Sequence, residues 1–207
     1  TKVRRNVHPA RFWVPLLALY TGARENELCQ LRTKDVHKHT YKDKNGKERE
    51  LVYINIVHDP NDHMSTKNKK NISCPIYPEL IRLGFWQYVE QQTKKKQYRL
   101  FKDVDEYQGK WYRKICRWFN DTAKIKFVIS ETEGRKKTFH SLRHNFGDRM
   151  DRLIQTPRER SILLYTVAHA EEKATLHETY IQSYTPEEQY EIIKRLKYDF
   201  DLSMLNE

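Results

Sequence analysis

Residues 140–144 read His-Ser-Leu-Arg-His, which sets His140, Arg143 and His144 at i, i+3 and i+4 of an expected helix start, on one face. Three cation-capable groups side by side repel. A bound phosphate removes the conflict, because arginine offers a planar fork of donors and a helix N-terminus adds backbone N–H groups. The plain alternative, which spacing alone favours, is a solvated basic helix with Leu142 turned to the core. A His-x-x-x-His metal pair ranks last, since no carboxylate stands beside it in the sequence. Further on, a charged, polar linker separates His169 from Tyr180. With 13 tyrosines in the chain, Tyr180 alone says little. His169, after Leu163, Leu164 and Val167, reads equally as a partly buried side chain. Near the start, Arg24 and Glu27 are three apart and neighbours on a helix surface. An arginine at a helix start opposes the macrodipole, a hint that Arg24 has a task.

The elements that must hold these residues follow from pattern. Pro9 and Pro15 frame the start of an apolar stretch, and Leu16, Leu17, Leu19 and Tyr20 predict a buried helix ending near Gly22. A short helix over about Arg24 to Arg32 puts Leu28 and Leu31 on one face. From Asp35 to about Tyr77 the period becomes two: Val52, Ile54 and Ile56, then Ile72, Cys74 and Ile76, predict strands. Asn45-Gly46 predicts a tight hairpin turn after a strand near Val36 to Tyr41. Lys67, Lys69 and Lys70 fall in the next connection, a lysine-bearing loop. Helical patterns follow at Pro78 to Gln92, Tyr107 to Ala123, His140 to Leu153, Arg158 to Ala168 and Pro186 to Lys197. Trp13, Trp86, Trp111 and Trp118 are candidate packing anchors. Lys94 to Lys96 and Ser130 to Lys137 read as solvated linkers. The expected fold class is α+β, mostly helical with one small antiparallel sheet, in a single domain over residues 1–207.

Charge narrows the function. Lys and Arg number 39 against 28 Asp and Glu, a formal net charge of +11, which favours a polyanionic partner, nucleic acid before an acidic membrane surface. The apolar run Phe12 to Tyr20 is interrupted by Pro15 and far short of the ~20 residues a membrane span needs. No secretory signal is read at the N-terminus, and the lack of an initiator Met suggests a fragment or processed piece. Three widely spaced cysteines, Cys29, Cys74 and Cys116, argue against a disulfide framework or a cysteine zinc site and fit a reducing, intracellular setting.

Taken together, these pieces resemble the catalytic domain of the tyrosine recombinases, the phage-type integrases. Thr21-Gly22-Ala23-Arg24-Glu25-Asn26-Glu27-Leu28 is similar to the family's T-G-x-R-x-x-E-L box. Lys67, followed by Pro75, matches the sheet lysine ahead of a strand-ending proline. His140 to His144 matches the H-x-L-R-H box, and Val167-Ala168-His169 resembles the L-G-H before the nucleophile, with alanine in place of the usual glycine. Tyr180 falls at the tyrosine position, and Tyr184-Thr185-Pro186-Glu187-Glu188 is similar to the family's post-tyrosine tail. Tyr184 is the fallback nucleophile, with Tyr190 a third downstream tyrosine. Five boxes in the right order cover nearly the whole chain.

The resemblance implies a site-specific recombinase acting in DNA integration and recombination, such as a mobile element encodes. It implies catalytic Arg24, Lys67, His140, Arg143, His169 and Tyr180, with no cofactor and no metal. Arginine forks would neutralise charge growing on the non-bridging phosphate oxygens, each worth about 3 to 4 kcal/mol by analogy with an oxyanion-hole donor. Lys67 would be general acid toward the leaving 5′ oxygen, with His140 and His169 assisting proton transfer. Tyr180 would form a 3′-phosphotyrosine. Glu27 would hold the Arg24 guanidinium. The implied partner is double-stranded DNA, with self-assembly into a tetramer on two DNA sites, no membrane, and a cytoplasmic, nucleoid-associated location of bacterial or phage type. The family's DNA-clamping parts would lie N-terminal to this chain. A type IB topoisomerase and a non-cleaving DNA-binding module are the alternatives, and an RNA-binding domain with exposed sheet aromatics is a third.

Overall fold

The computed structural model describes residues 7–43, 45–67, 69–123, 138–166, 184–200, 202 and 205 of the chain. Helix α1 (Pro9–Thr21) opens with a proline at its first turn, where no N–H is needed, and carries Pro15 inside. It therefore starts earlier than the apolar stretch alone predicts. Helix α2 (Glu25–Cys29) is shorter than expected and leads through a 3-10 turn, Thr33–Asp35, into the sheet.

The sheet has three antiparallel strands in the order β1 (Val36–Lys42), β2 (Glu48–Ile56), β3 (Ile72–Pro75). Val36 pairs with Ile54 and Ile54 with Cys74, so the alternating apolar residues share the buried face. The hairpin is wider than an Asn45-Gly46 two-residue turn. The Asp43 carboxylate accepts the backbone N–H groups of Asn45 at 2.9 Å and Lys47 at 3.0 Å, and Gly46 supplies the positive φ of 74°. Asp43 thus closes the hairpin just past Lys42, the last paired residue of β1.

Helices occupy the rest: α3 (Pro78–Arg82), α4 (Phe85–Lys94), α5 (Arg113–Trp118), α6 (His140–Asp151), α7 (Pro157–Thr166) and α8 (Pro186–Ile193). The single helix expected from Pro78 to Gln92 is two, because Gly84 at φ 92° caps the second. The expected helix from Tyr107 begins only at Arg113. Residues 107–110 close a tight turn with positive φ at Gln108 and Gly109, and a π-helical turn, Phe119–Ala123, follows α5. About half of the described residues are helical, so the fold is mixed α+β, with one small sheet and less helix than "mostly helical" implies.

One core joins the elements. Trp13 is fully buried, with its ring edge-on to Phe12 and Phe85. Trp111 is also buried, whereas Trp86 and Trp118 are only partly covered. Helix α6 lies along α1, and α8 packs on β3 and α7 through buried Ile192 and Ile193. The described C-terminal helix thus covers its own core. Its start is a reciprocal capping box: Thr185 Oγ1 accepts from the Glu188 N–H at 3.3 Å, and Glu188 Oε2 accepts from the Thr185 N–H at 3.0 Å. No helix among the described residues is long and apolar enough to cross a membrane.

Candidate functional site

The turn between α1 and α2 is built by two adjacent residues. Thr21 Oγ1 donates to the Leu17 carbonyl at 2.6 Å and accepts the Ala23 N–H at 3.2 Å. Gly22 takes the left-handed conformation, φ 67°, and donates its N–H to the Ala18 carbonyl at 3.0 Å. The helix ends here, and Arg24 follows in extended conformation as the N-cap of α2. Glu27, one helical turn on and 2% exposed, accepts the Arg24 backbone N–H at 2.9 Å and its guanidinium at 3.0 Å. A carboxylate so enclosed fixes the guanidinium better than an exposed ion pair does. Glu25 and Glu27 in the first turn also offset the unfavourable arginine at the helix start.

Arg143 reaches the same turn from α6. It is 5% exposed and donates to the Gly22 carbonyl, while Phe146, one turn-edge further along α6, lies against Gly22 itself. Burial first, and the positive charge of Arg24 second, hold the Arg143 guanidinium at about 10, well below its ordinary value. Glu27 and Glu25 pull the other way. Arg24 is thus the foremost charge acting on the buried Arg143. Cys74 on β3 donates to the Thr21 carbonyl at 3.8 Å, and burial pushes its thiol up to about 12, so it sits there as a neutral core group.

The histidines divide from Arg143. His140 and His144 are exposed, with ring centroids 4.9 Å apart and edge to face, and His140 Nδ1 lies 3.8 Å from Glu25 Oε2. Arg143 instead turns inward to α1. The expectation that His140, Arg143 and His144 share one face thus holds for the two histidines only. Positions i+3 and i+4 flank position i on opposite sides, and only the i+3 side faces α1.

Lys67 is exposed on the turn after Thr66, whose Oγ1 donates to the Lys70 carbonyl at 3.0 Å. Two residues earlier, Ser65 bonds to α2 through Asn26 and Gln30. The lysine loop is thereby attached to the helix that Arg24 caps. His169 and Tyr180 lie outside the described residues. Of the other downstream tyrosines, Tyr184 is 8% exposed, its ring edge-on to Tyr165 at 5.5 Å, and Tyr190 has its hydroxyl pushed upward by burial and Glu191. Tyr184 thus lacks the open surroundings of an activated phenol, and Tyr190 borders a groove in which carboxylates outnumber cations.

The fragment of a site that the described residues form is two guanidiniums, a histidine and two ordering carboxylates around one glycine turn. Such a set can neutralise and orient a phosphate. A groove of about 890 Å³ between the hairpin and α8 suits a phosphate poorly, since Asp43, Glu48, Glu50, Glu187, Glu188 and Glu191 outnumber Lys42, Arg49 and Lys194 in its lining. Among the described residues, no group of three or more His, Cys, Asp or Glu side chains could hold a metal ion. Sequence reasoning did not single out Glu25 as the neighbour of His140, nor the Gly22 carbonyl as the seat of Arg143. The acidic first turn of α2 was the available signal for the first, and nothing in a side-chain pattern marks the second. Compared with protein-family models, curated proteins and solved structures, the chain matches none.

Proposed function

We propose that the chain is the catalytic domain of a tyrosine recombinase that cuts and rejoins double-stranded DNA. The observation that carries this is the meeting of Arg24 and Arg143, from two of the sequence boxes, on the Gly22 turn, with Glu27 behind one and His140 beside the other's helix start. In the proposed reaction Tyr180 Oη attacks a DNA phosphorus; an O–P bond forms and the bond to the 5′ oxygen breaks. The tyrosine proton passes toward His140 or His169, and Lys67 supplies a proton to the leaving 5′ oxygen. Arg24 and Arg143 hold the non-bridging oxygens as their charge grows. The resulting 3′-phosphotyrosine conserves the bond energy, so that a 5′ hydroxyl of another strand can reverse the step. Assembly of four protomers on two DNA sites belongs to the same proposal, as does work on the DNA of a mobile element.

The test uses nicked duplexes tiled across the DNA flanking the gene, which trap the intermediate when the short cleaved strand diffuses away. A denaturant-resistant protein–DNA adduct mapped by mass spectrometry to Tyr180, and lost in Tyr180→Phe, is the expected result. An adduct on Tyr184 would move the nucleophile within the same chemistry. Tight binding of these duplexes with no adduct would refute cleavage and leave a DNA-binding module.

A further inference from the structure

A run of hydrogen bonds between α2 and the loop ahead of Lys67 is not explained by core packing. Gln30, the C-cap of α2, is 0% exposed, yet its side chain makes no apolar contribution that leucine would not make better. Its amide instead spans both ends of one loop. Nε2 donates to the Val57 carbonyl at 3.3 Å, and Oε1 accepts the Ser65 N–H at 3.0 Å. Asn26, one turn earlier on α2, donates to Gln30 Oε1 at 3.3 Å and to the Ser65 hydroxyl at 3.4 Å, while its Oδ1 accepts the Trp111 N–H at 2.8 Å. The middle of the loop is tied from the same side. Arg99 donates to the Gln30 carbonyl at 2.7 Å and to the Asp62 carbonyl at 2.9 Å, and Trp111 Nε1 donates to the His63 carbonyl at 3.0 Å.

The loop is thus fastened to α2 at Val57 and Ser65 and, between them, to Arg99 and Trp111, and Lys67 is the second residue past the last of these ties. A buried amide is tolerated only when its groups are bonded, so an element that relies on one is held to a single register. Arg24 stands at one end of α2 and Gln30 at the other, which makes the helix a ruler between the phosphate clamp and the lysine.

We propose that Gln30 is a positioning residue that sets Lys67 in register with Arg24, so that the proton for the leaving oxygen arrives where the clamped phosphate breaks. This rests on the reading of Lys67 as general acid. Leaving-group chemistry separates positioning from mere stability. A 5′-bridging phosphorothiolate duplex expels a thiolate, which needs no proton, whereas the ordinary diester does need one.

Gln30→Met keeps the volume and removes both ties. Single-turnover cleavage of matched nicked diester and phosphorothiolate duplexes is followed for wild type, Gln30→Met, Lys67→Ala and Arg24→Lys. General-acid catalysis supplies about 10²- to 10⁴-fold. Gln30→Met is expected to lose at least about 10²-fold on the diester and to recover to near the wild-type rate on the phosphorothiolate, as Lys67→Ala does. Arg24→Lys is slow on both. Asn26→Ala, a milder cut at the Ser65 end, gives a smaller loss with the same recovery and serves where Gln30→Met does not fold. Equal loss on both substrates, or no loss on either, would overturn the positioning role while leaving the recombinase reading intact. No cleavage of either substrate by wild type, or no recovery of Lys67→Ala, would remove the reading beneath it, and the proposal with it.

Discussion

Replacing Gly22 with alanine tests whether the α1–α2 turn is as constrained as its geometry says. At φ 67° an L side chain costs roughly 1–2 kcal/mol. The added Cβ would also collide with Cδ1 of the Phe146 ring and come within 2.9 Å of Cε1 and 3.1 Å of Cγ. Phe146 is 0% exposed and cannot swing into solvent, so overpacking adds about 1–3 kcal/mol. The stiffer unfolded chain returns about 0.4–1 kcal/mol. The net loss is roughly 2–4 kcal/mol, which in a chain of this size lowers Tm by roughly 5–15 °C. Urea denaturation and thermal melts followed by circular dichroism measure it. Gly46→Ala is the internal control: φ is 74° there, but nothing lies within 4 Å of the new Cβ, so only the backbone part is lost. In a Phe146→Leu background the Gly22→Ala loss is expected to shrink toward that of Gly46→Ala. A Gly22→Ala melt within 2 °C of wild type, or a loss that Phe146→Leu leaves unchanged, would refute the steric account.

Two further expectations concern stability away from the turn. Arg32, with its side chain 6% exposed, is bonded by Asp35 at 2.9 Å and by Asp59 and Asp62 at 3.0 and 3.3 Å. Asp35→Ala removes the bidentate partner and leaves Arg32 to Asp59 and Asp62 alone, and is expected to cost about 2 kcal/mol in urea denaturation, whereas Glu50→Ala, at the exposed Lys38–Glu50 pair, costs under about 1 kcal/mol. Burial raises the Tyr20 hydroxyl to about 12 and those of Tyr88 and Tyr198 higher still. A raised folded-state value means stability is fully present below about pH 10, where unfolded tyrosine begins to ionise, and is lost as pH climbs through the folded values. Absorbance at 295 nm is therefore expected to show a late, cooperative step, carried by Tyr20, Tyr88 and Tyr198, that coincides with unfolding.

How much of this was readable depended on whether a residue's task lies in its side chain or in where the backbone goes. The Thr21-Gly22 stop, the period-two strands and the capping Thr185-Pro186 all have local causes and stand close to where pattern puts them. The Gly84 break and the short α5 had visible signals too, in a glycine within an apolar period and in Gln108-Gly109 after an exposed tyrosine. Arg143 is the instructive case. Helical spacing groups it with His140 and His144, but only tertiary packing decides that α1 lies on the i+3 side and draws it inward. Gln30 was not legible, because a glutamine after a short helix carries no chemistry of its own; its meaning lies in Val57 and Ser65, far away in sequence.

The choice of arginine at position 143 follows from the same environment. The lowered value of about 10 means that the folded chain holds this cation at a disadvantage relative to the unfolded one. Folding stability carries that cost at neutral pH, because both states are protonated well below 10. A lysine under the same burden starts from a lower ordinary value and is driven toward the neutral form. A guanidinium stays charged under the same burden, and its fork can satisfy the Gly22 carbonyl with one N–H while others remain directed elsewhere. In the proposed reaction, negative charge growing on the phosphate relieves both the burial of Arg143 and its repulsion by Arg24. The disadvantage accepted on folding is thus recovered most fully at the transition state, where the charge is greatest, which is the condition for rate enhancement rather than for tight binding alone.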